Sequence, residues 1–289
     1  MCNQKIDFDV CFIGGDKRQL FAAKALSKKT RKNVFVSGDI FSELSRNCQG
    51  NLVFTDNPIK AVHLSKAIIL SLPAANCEKV LSFLDISSEA CRNGSIIIGG
   101  NFSPYMLDVM CEEGILYFDY YKDECYALRN AYLTAEGGIK LAMDTLDISV
   151  KSAKVIVLGF GRIGKALASM LSGLGNIPTV YARRAEARVL AEEMGYDVTE
   201  TLDLSGFDVV FNTVPERIIS NETLLELPDR RILIELASSP GGFDAEIAAQ
   251  CAHMVIDGRA LPGKYAPQSA GEILAETVYG ILLDATKIR

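Results

Sequence analysis

The feature that most constrains this chain is an apolar strand pattern that runs directly into a glycine-rich turn. Residues 153–158 are followed by Gly159-x-Gly161-x-x-Gly164 and then by a helical pattern. The first glycine permits the tight turn, the second lets the backbone approach a pyrophosphate, and the third lets helix and strand pack closely. The helix then points free N–H groups at the phosphates. The predicted dinucleotide site comprises Gly159, Gly161, Arg162, Ile163 and Gly164; the alternative is a glycine-rich turn without a ligand.

The end of the next strand bears on the choice between NAD and NADP. An NAD site usually has Asp or Glu about 20 residues after the glycines, where it binds the ribose 2′-hydroxyl. This chain has Ala182-Arg183-Arg184 there. A guanidinium is permanently charged, and its planar fork of donors suits a 2′-phosphate. We therefore predict NADP, bound by Arg183 and Arg184; solvated charges at the start of a surface helix are the alternative.

Length and composition restrict the class of protein. With 289 residues, 49% of them hydrophobic and 23% charged, the chain can build two soluble globular domains. A net charge of −6 argues against nucleic acid as a partner. The N-terminal residues include acidic side chains without a long apolar core, and no apolar run reaches the roughly 18 residues of a membrane helix. We expect a cytoplasmic protein with neither signal peptide nor membrane contact.

The cysteines indicate a reducing compartment. The chain has eight, without a Cys-x-x-Cys pair, and its two histidines lie at no metal-binding spacing. We therefore predict free thiols and no metal site. Redox sensing by Cys2 or Cys48 is an alternative for those two positions.

Short apolar runs alternate with helical patterns, which is typical of parallel α/β structure. We predict an α/β fold with two doubly wound parallel-sheet domains, the second a Rossmann NADP-binding domain. The predicted boundaries are a flavodoxin-like substrate domain over 1–130, a connecting helix over 131–150, and the Rossmann domain over 151–289, whose last helix is a candidate to cross back. The first series of strands is predicted near 10–14, 33–36, 67–72, 95–99 and 116–119. The second is predicted near 154–159, 179–181, 208–213, 231–236 and 254–257.

Two loops follow strands of the second series where a doubly wound sheet binds its nucleotide. One contains Thr213, Val214 and Pro215, whose proline ends the strand and frees backbone to line the cofactor. The other contains Ser238 and ends in Gly241-Gly242, which we expect to permit close approach near the nicotinamide. The alternative for both loops is that their proline and glycines only end the strands and form turns, without binding a ligand.

In the first domain, Gly14-Gly-Asp-Lys-Arg-Gln19 lies at a strand-to-helix turn. Asp16 is a candidate N-cap, and Arg18 with Gln19 could meet an anionic substrate at the positive end of the helix. The predicted substrate-binding residues are Asp16, Arg18 and Gln19; a capped turn with solvated charges is the alternative. We expect the substrate to lie in a cleft lined by strand ends of both domains.

Candidate catalytic residues lie beside two glycines in a helical pattern. Gly137-Gly138 lowers the helix propensity of this segment, and glycines inside a helical pattern usually have a packing or functional reason. Three polar residues lie before or beside these glycines: Asn130, Thr134 and Glu136. The common catalytic base for oxidising an alcohol is histidine. His63 and His253 lie in helix-like and strand-like surroundings, so we interpret both as structural. A histidine-dependent 2-hydroxy-acid dehydrogenase is therefore disfavoured.

Five segments together resemble dipicolinate synthase of spore-forming bacteria, in particular its A subunit. In order along nearly the whole chain, they are residues 14–19, 134–138, 158–164, 235–242 and 261–271. Ser-Pro-Gly-Gly at 239–242 and Leu-Pro-Gly-x-x-Ala-Pro at 261–267 are the most specific motifs.

The resemblance implies an NADP-dependent oxidoreductase that converts 4-hydroxy-tetrahydrodipicolinate to dipicolinate, with loss of water, during sporulation. It implies a second, flavoprotein-like subunit of dipicolinate synthase as partner, and the architecture predicts a homo-oligomer. By the same resemblance, Arg18 is a candidate for one substrate carboxylate. Glu136, Thr134 and Asn130 are candidates for ring orientation or proton removal. Two alternatives stay open: a dehydrogenase of the alanine or 2-hydroxy-acid type, and a non-catalytic NADP-binding subunit.

Overall fold

The computed structural model describes residues 5–44, 50–228 and 230–288, so Cys2 and Cys48 lie outside the described residues. The chain forms two compact units. The first contains described residues of Met1–Ala127 and Ala266–Arg289, and the second is Leu128–Tyr265. Each unit holds a six-stranded parallel sheet, and helices connect most of the consecutive strands, which confirms the predicted α/β fold.

The first unit is built around strands that are apolar along their whole length. Every residue of the β1, β4 and β5 strands is buried, which is why these segments read as unbroken apolar runs. Its strands are β1 (Val10–Ile13), β2 (Val34–Ser37), β3 (Leu52–Phe54), β4 (Ala67–Leu70), β5 (Ile96–Gly99) and β6 (Tyr117–Asp119). Its helices are α1 (Lys17–Ser27), α2 (Pro58–Leu64), α3 (Phe83–Asn93), α4 (Pro104–Glu112) and, at the end of the chain, α11 (Pro267–Ile288).

The strand order of this sheet is β3-β2-β1-β4-β5-β6. The five predicted strands, β2-β1-β4-β5-β6, follow the flavodoxin-like order 2-1-3-4-5, and the additional edge strand β3 extends the sheet to the 3-2-1-4-5-6 order of dinucleotide-binding sheets. The prediction missed β3, a strand of three residues at the edge of the sheet. Its apolar run, Leu52-Val-Phe54, has three residues, which is shorter than the four to eight residues by which a buried strand is recognised.

The second unit repeats this strand order. Its sheet runs β12-β11-β10-β7-β8-β9, so the order reverses between β7 and β10, where a doubly wound sheet opens its ligand crevice. The strands are β7 (Val155–Leu158), β8 (Thr179–Tyr181), β9 (Asp197–Thr199), β10 (Val209–Asn212), β11 (Ile232–Glu235) and β12 (Met254–Asp257). The helices are α6 (Arg162–Gly173), α7 (Ala185–Glu193), α8 (Asn221–Glu226), α9 (Ala245–Gln250) and α10 (Leu261–Tyr265). The α5 helix (Glu124–Thr145) contains the division between the units.

The α11 helix belongs to the first unit, where it packs along α1. Leu274, Val278 and Leu282 of α11 are buried in one core with Leu20 of α1. A methyl group at Gly271 would lie 2.6 Å from the carbonyl oxygen of Arg18, so the glycine permits close contact between the two helices. The first unit therefore combines both ends of the chain.

Burial accounts for the state of two cysteines. It raises the pKa of the Cys11 and Cys77 thiols to about 12, so both stay protonated at neutral pH. Among the described residues, no group of three or more His, Cys, Asp and Glu side chains is arranged to hold a metal ion. No described helix is both long enough and apolar enough to cross a membrane.

Candidate functional site

The glycine turn of the second unit lies at the carboxyl end of β7, and its three glycines have different surroundings. A methyl group at Gly159 would lie 2.7 Å from Thr213 Oγ1, and Gly159 has a φ of +94°. A methyl group at Gly164 would lie 2.1 Å from the carbonyl oxygen of Gly159. At Gly161 the same group would meet no protein atom within 4 Å. The protein's own packing thus requires Gly159 and Gly164, whereas Gly161 leaves space for a ligand.

The start of α6 provides the electrostatic part of this site. Gly161 is the N-cap of the helix and has no side chain to satisfy the first backbone N–H groups. The helix continues for 12 residues, held by its buried apolar face. The N–H groups in the first turn of a helix and the positive end of the helix dipole favour an anion at this position. The residues present therefore fit the pyrophosphate of a dinucleotide.

The loop after β10 is joined to the end of β7. Thr213 donates two hydrogen bonds to the carbonyl oxygen of Leu158, from N at 3.0 Å and from Oγ1 at 2.8 Å. Val214 is half-buried and Pro215 exposed. The structure therefore brings Thr213 and Val214 beside Gly159, as the cofactor prediction requires.

Arg183 and Arg184 lie just beyond β8, and both side chains are exposed. Arg183 Nη2 donates to Glu216 Oε2 at 2.6 Å, which raises the pKa of the guanidinium. Arg184 is the N-cap residue of α7. Arg188 Nη1 donates to the carbonyl oxygens of Ala182 and Arg183 at 2.9 Å each, so the backbone that carries the two arginines is fixed.

Two polar residues that sequence reasoning did not assign organise the loop after β11. Asn212 is fully buried, and its Nδ2 donates to Glu235 Oε1 at 2.7 Å. Glu235 also accepts from Ala237 N and from Gly242 N, each at 2.8 Å. Burial raises the pKa of Glu235, against the opposing effect of these hydrogen bonds. Asn212 and Glu235 are the polar last residues of two otherwise apolar strands, and this is the signal by which the sequence could have identified them.

The Asn212–Glu235 pair also explains why positions 241 and 242 are glycines. Methyl groups at these positions would lie 2.7 Å from Glu235 Oε2 and 2.5 Å from Asn212 Cγ, respectively. The glycines are therefore needed to accommodate buried side chains of the protein, a reason the sequence did not reveal. Ser238, the predicted cofactor contact, is exposed in this loop.

The three predicted substrate residues of the first unit lie together at the start of α1. Asp16 is the N-cap, as predicted, and accepts from Arg18 N at 2.9 Å. The Arg18 guanidinium also donates to Asp16, from Nε at 3.0 Å and from Nη2 at 2.6 Å. Gln19 is buried, and its Nε2 donates to the carbonyl oxygen of Leu70 at 3.1 Å.

Arg18 is enclosed rather than solvated. Only 8% of its side chain is exposed, against 44% for Asp16. Tyr120 and Tyr126 line the same small cavity, with ring centroids 5.1 Å apart, and burial raises the pKa of Tyr126 to about 12. Arg18 Nη2 is also 3.3 Å from the carbonyl oxygen of Leu72. The alternative of freely solvated charges at this turn does not describe Arg18.

The predicted catalytic residues lie on α5, which runs without interruption through Gly137-Gly138. Thr134 is buried and donates from Oγ1 to the carbonyl oxygen of Asn130 at 2.9 Å, whereas Glu136 is exposed. At about 100° per residue, Glu136 lies on nearly the opposite side of the helix from Thr134. The structure therefore joins Asn130 with Thr134 but separates both from Glu136.

The two glycines of α5 have a packing role. A methyl group at Gly137 would lie 2.8 Å from Leu261 Cβ, and one at Gly138 would lie 3.1 Å from Leu236 Cδ1. They allow α5 to approach α10 and the end of β11 closely.

Both histidines of the chain lie away from the carboxyl ends of the strands. His253 directly precedes β12, is buried, and its Nε2 is 3.0 Å from the carbonyl oxygen of Leu224. His63 is near the end of α2, and its Nδ1 is 2.9 Å from Glu89 Oε2. Within the second unit, His253 therefore lies at the opposite edge of the parallel sheet from the glycine turn.

Comparison with known proteins identifies related sequences and folds. Residues 121–241 match the NAD-binding domain of the D-isomer-specific 2-hydroxyacid dehydrogenases. The dipicolinate synthase A subunit of Bacillus subtilis (strain 168) is 26% identical over 288 residues, 95% of this chain and 96% of that protein. The crystal structure of the dipicolinate synthase A subunit from Bacillus halodurans has a TM-score of 0.84 at 27% identity, covering 95% of this chain and 97% of that one.

A more distant structure shares the fold. The transhydrogenase from Sinorhizobium meliloti has a TM-score of 0.69 at 14% identity, covering 94% of this chain and 93% of that one. These comparisons confirm the resemblance to the dipicolinate synthase A subunit along nearly the whole chain. They also confirm that the second unit is a Rossmann domain, of the type that binds a nicotinamide dinucleotide in dehydrogenases.

Proposed function

We propose that this chain is the oxidoreductase subunit of a dipicolinate synthase, oxidising 4-hydroxy-tetrahydrodipicolinate to dipicolinate with NADP⁺ during sporulation. The observation that carries the proposal is the resemblance to the A subunit of that synthase over 95% of the chain. The dehydrogenase-type domain over residues 121–241 supports a redox reaction. NADP, rather than NAD, is supported by Arg183 and Arg184 at the end of β8.

The reaction balances with one water and two electrons. A carbon–oxygen bond breaks as water leaves the substrate, then a ring carbon–hydrogen bond breaks and a proton is released, and the ring becomes aromatic. NADP⁺, when bound, accepts the hydride. No carbinol is oxidised, so the reaction does not need the histidine base that an alcohol requires. The protein has mainly to hold a dicarboxylate in position.

We assign roles to residues within each unit. The turn at Gly159, Gly161 and Gly164, with Arg162 and Ile163, holds the pyrophosphate, and Arg183 and Arg184 hold the 2′-phosphate. In the first unit, Asp16 and the carbonyl oxygen of Leu72 accept hydrogen bonds from Nε and Nη2 of Arg18. We assign this guanidinium, with Gln19 beside it, to a substrate carboxylate.

The candidates on α5 divide by chemistry. Glu136 is the only ionisable side chain among Asn130, Thr134 and Glu136, so we assign proton removal to Glu136. Thr134 donates to the carbonyl oxygen of Asn130, and both lie away from Glu136 around α5. Proton removal therefore stays with Glu136, and Thr134 and Asn130 are not assigned to the orientation of the same ring. Thr213, Val214, Pro215 and Ser238 line the cofactor in this proposal.

One competing function has an observation in its favour. The match over 121–241 is to 2-hydroxyacid dehydrogenases, so turnover of simple 2-hydroxy acids is the alternative. The positions of His63 and His253 argue against it, since each already has a hydrogen-bonding partner elsewhere. A non-catalytic NADP-binding subunit would bind NADPH without reducing NADP⁺ in the presence of any of these substrates.

We further propose that the chain works in the cytoplasm, self-associates, and pairs with the second subunit of the synthase. The support is the designation of its relatives as the A subunit of dipicolinate synthase, which implies a further component, and the symmetric oligomers common among soluble proteins. Mass in solution, with and without the second subunit, tests both associations. A monomer whose mass is unchanged by the second subunit would contradict them.

The test of the proposal combines binding with turnover. Wild type should bind NADPH more tightly than NADH and should oxidise 4-hydroxy-tetrahydrodipicolinate but not simple 2-hydroxy acids. Glu136→Gln should lower kcat by about 10²- to 10⁴-fold and leave NADPH affinity unchanged. Arg18→Ala should raise KM, with partial rescue by Arg18→Lys. Turnover of 2-hydroxy acids alone, or full activity in both variants, would overturn the proposed function or these residue roles, respectively.

A further inference from the structure

An ion pair joins the two loops on either side of the glycine turn. Arg183 follows β8 and Glu216 follows β10, and β7 lies between those strands in the sheet. The 2.6 Å bond from Arg183 Nη2 to Glu216 Oε2 therefore spans the carboxyl end of β7. This is the side of the sheet where the glycine turn leaves space at Gly161.

Both partners of this pair are accessible to a ligand. The exposed fractions of the side chains are 60% for Arg183 and 64% for Glu216. The backbone of Arg183 is fixed by Arg188, so the guanidinium can turn between partners while its Cα stays in place. In this structure the partner is a carboxylate of the protein itself.

A carboxylate and a phosphate compete for the same donors of a guanidinium. Each accepts two parallel N–H bonds from the planar fork, and each carries negative charge. A 2′-phosphate that binds Arg183 must therefore displace Glu216 or lie close to it, and the two negative charges repel each other. A ribose 2′-hydroxyl is neutral and meets no such repulsion.

We propose that Glu216 is a specificity-determining residue that weakens the preference for NADP(H) over NAD(H) by competing for Arg183. This inference rests on the proposed function, because it assumes that a nicotinamide dinucleotide binds at the glycine turn. Glu216 neutralises the charge of Arg183 in the free protein. When NADPH binds, the Arg183 guanidinium turns from Glu216 to the 2′-phosphate. The chain thus has a cationic site for the 2′-phosphate at Arg183, together with Glu216, which lowers the affinity of that site for the phosphate.

The experiment compares dissociation constants for NADPH and NADH in the full chain. Glu216→Gln keeps the side-chain shape and removes the charge, and Glu193→Gln, on the last turn of α7, is the charge-matched control. Glu216→Gln should tighten NADPH binding by about two- to fivefold at low salt, the size expected for an exposed charge pair. NADH affinity should change by less than about twofold, and the NADPH effect should shrink at high salt.

A double-mutant cycle tests whether Glu216 acts through Arg183. In an Arg183→Ala background, Glu216→Gln should tighten NADPH binding by less than it does in the wild-type background, because only the direct repulsion between Glu216 and the phosphate remains. An NADPH-to-NADH ratio in Glu216→Gln equal to that of the control would overturn the inference while leaving the proposed function intact. Failure of the wild-type chain to bind either dinucleotide would overturn the proposed function, and the inference would fall with it.

Discussion

At the residue scale, the three glycines of the turn after β7 differ in what surrounds them. Gly159 and Gly164 face the protein's own atoms, and Gly161 faces open space. The spacing of the glycines in the sequence does not show this difference, because the difference depends on which atoms, including those of the loop after β10, lie near each glycine. Arg18 is a similar case: its charge was visible in the sequence, whereas its burial against Asp16 depends on the surrounding fold.

Gly161→Ala tests whether that space is used by the cofactor. The φ of Gly161 is −82°, which alanine tolerates, and no protein atom obstructs the new methyl group. We expect a change of no more than about 1 kcal/mol in the free energy of unfolding. NADPH affinity should fall by about tenfold or more, because the methyl group occupies the path of the pyrophosphate. Calorimetric titration and thermal unfolding give both quantities.

Gly173→Ala is the matched control for this change. Gly173 also has open space around it and lies at the far end of the same α6 helix. It should leave NADPH affinity unchanged. If Gly161→Ala binds NADPH as tightly as Gly173→Ala does, the dinucleotide does not approach the turn at this point.

At the scale of elements, the inner strands and the edge strands β6 and β12 were predicted from the sequence, whereas the edge strands β3 and β9 were not. The β1, β4 and β7 strands are buried along their whole length and read as apolar runs. The β3 and β9 strands have three residues each at sheet edges, and both were missed. Strand order was also beyond the sequence, since alternation of strands and helices is common to several doubly wound folds.

The loop after β11 was recognised only as a glycine-rich segment, and its anchor is Glu235. Burial raises the pKa of this side chain, so the folded protein holds its proton more strongly than the unfolded chain does. The resulting stabilisation is fully present below the unfolded pKa of about 4.3 and is lost as pH rises through the raised value. Glu235→Gln, which cannot ionise, removes this dependence.

Wild type should therefore lose stability relative to Glu235→Gln as pH rises from about 4. Denaturant unfolding of both proteins between acidic and neutral pH measures the difference. If wild type instead gains stability relative to Glu235→Gln as pH rises, the hydrogen bonds from Asn212, Ala237 and Gly242 outweigh burial and depress the pKa of Glu235.

At the scale of the whole molecule, two sheets of the same strand order have different surroundings at their glycine turns. In the first unit, methyl groups at Gly14 and Gly38 would lie 3.3 Å and 3.0 Å from Val80 Cγ2, so Val80 covers the ends of β1 and β2. In the second unit, Gly161 is open. Strand order alone does not distinguish the two units, whereas the open position at Gly161 favours the second as the dinucleotide site.

The central claim is that this chain forms dipicolinate and passes the electrons to NADP⁺. The most direct measurement quantifies dipicolinate and NADPH together after 4-hydroxy-tetrahydrodipicolinate and NADP⁺ are mixed with the purified chain, alone and with the second subunit of the synthase. We predict that the two products accumulate in equal amounts and that NAD⁺ supports a slower reaction. If the chain binds NADPH but neither product forms above the protein-free background, with or without the second subunit, the claim is contradicted.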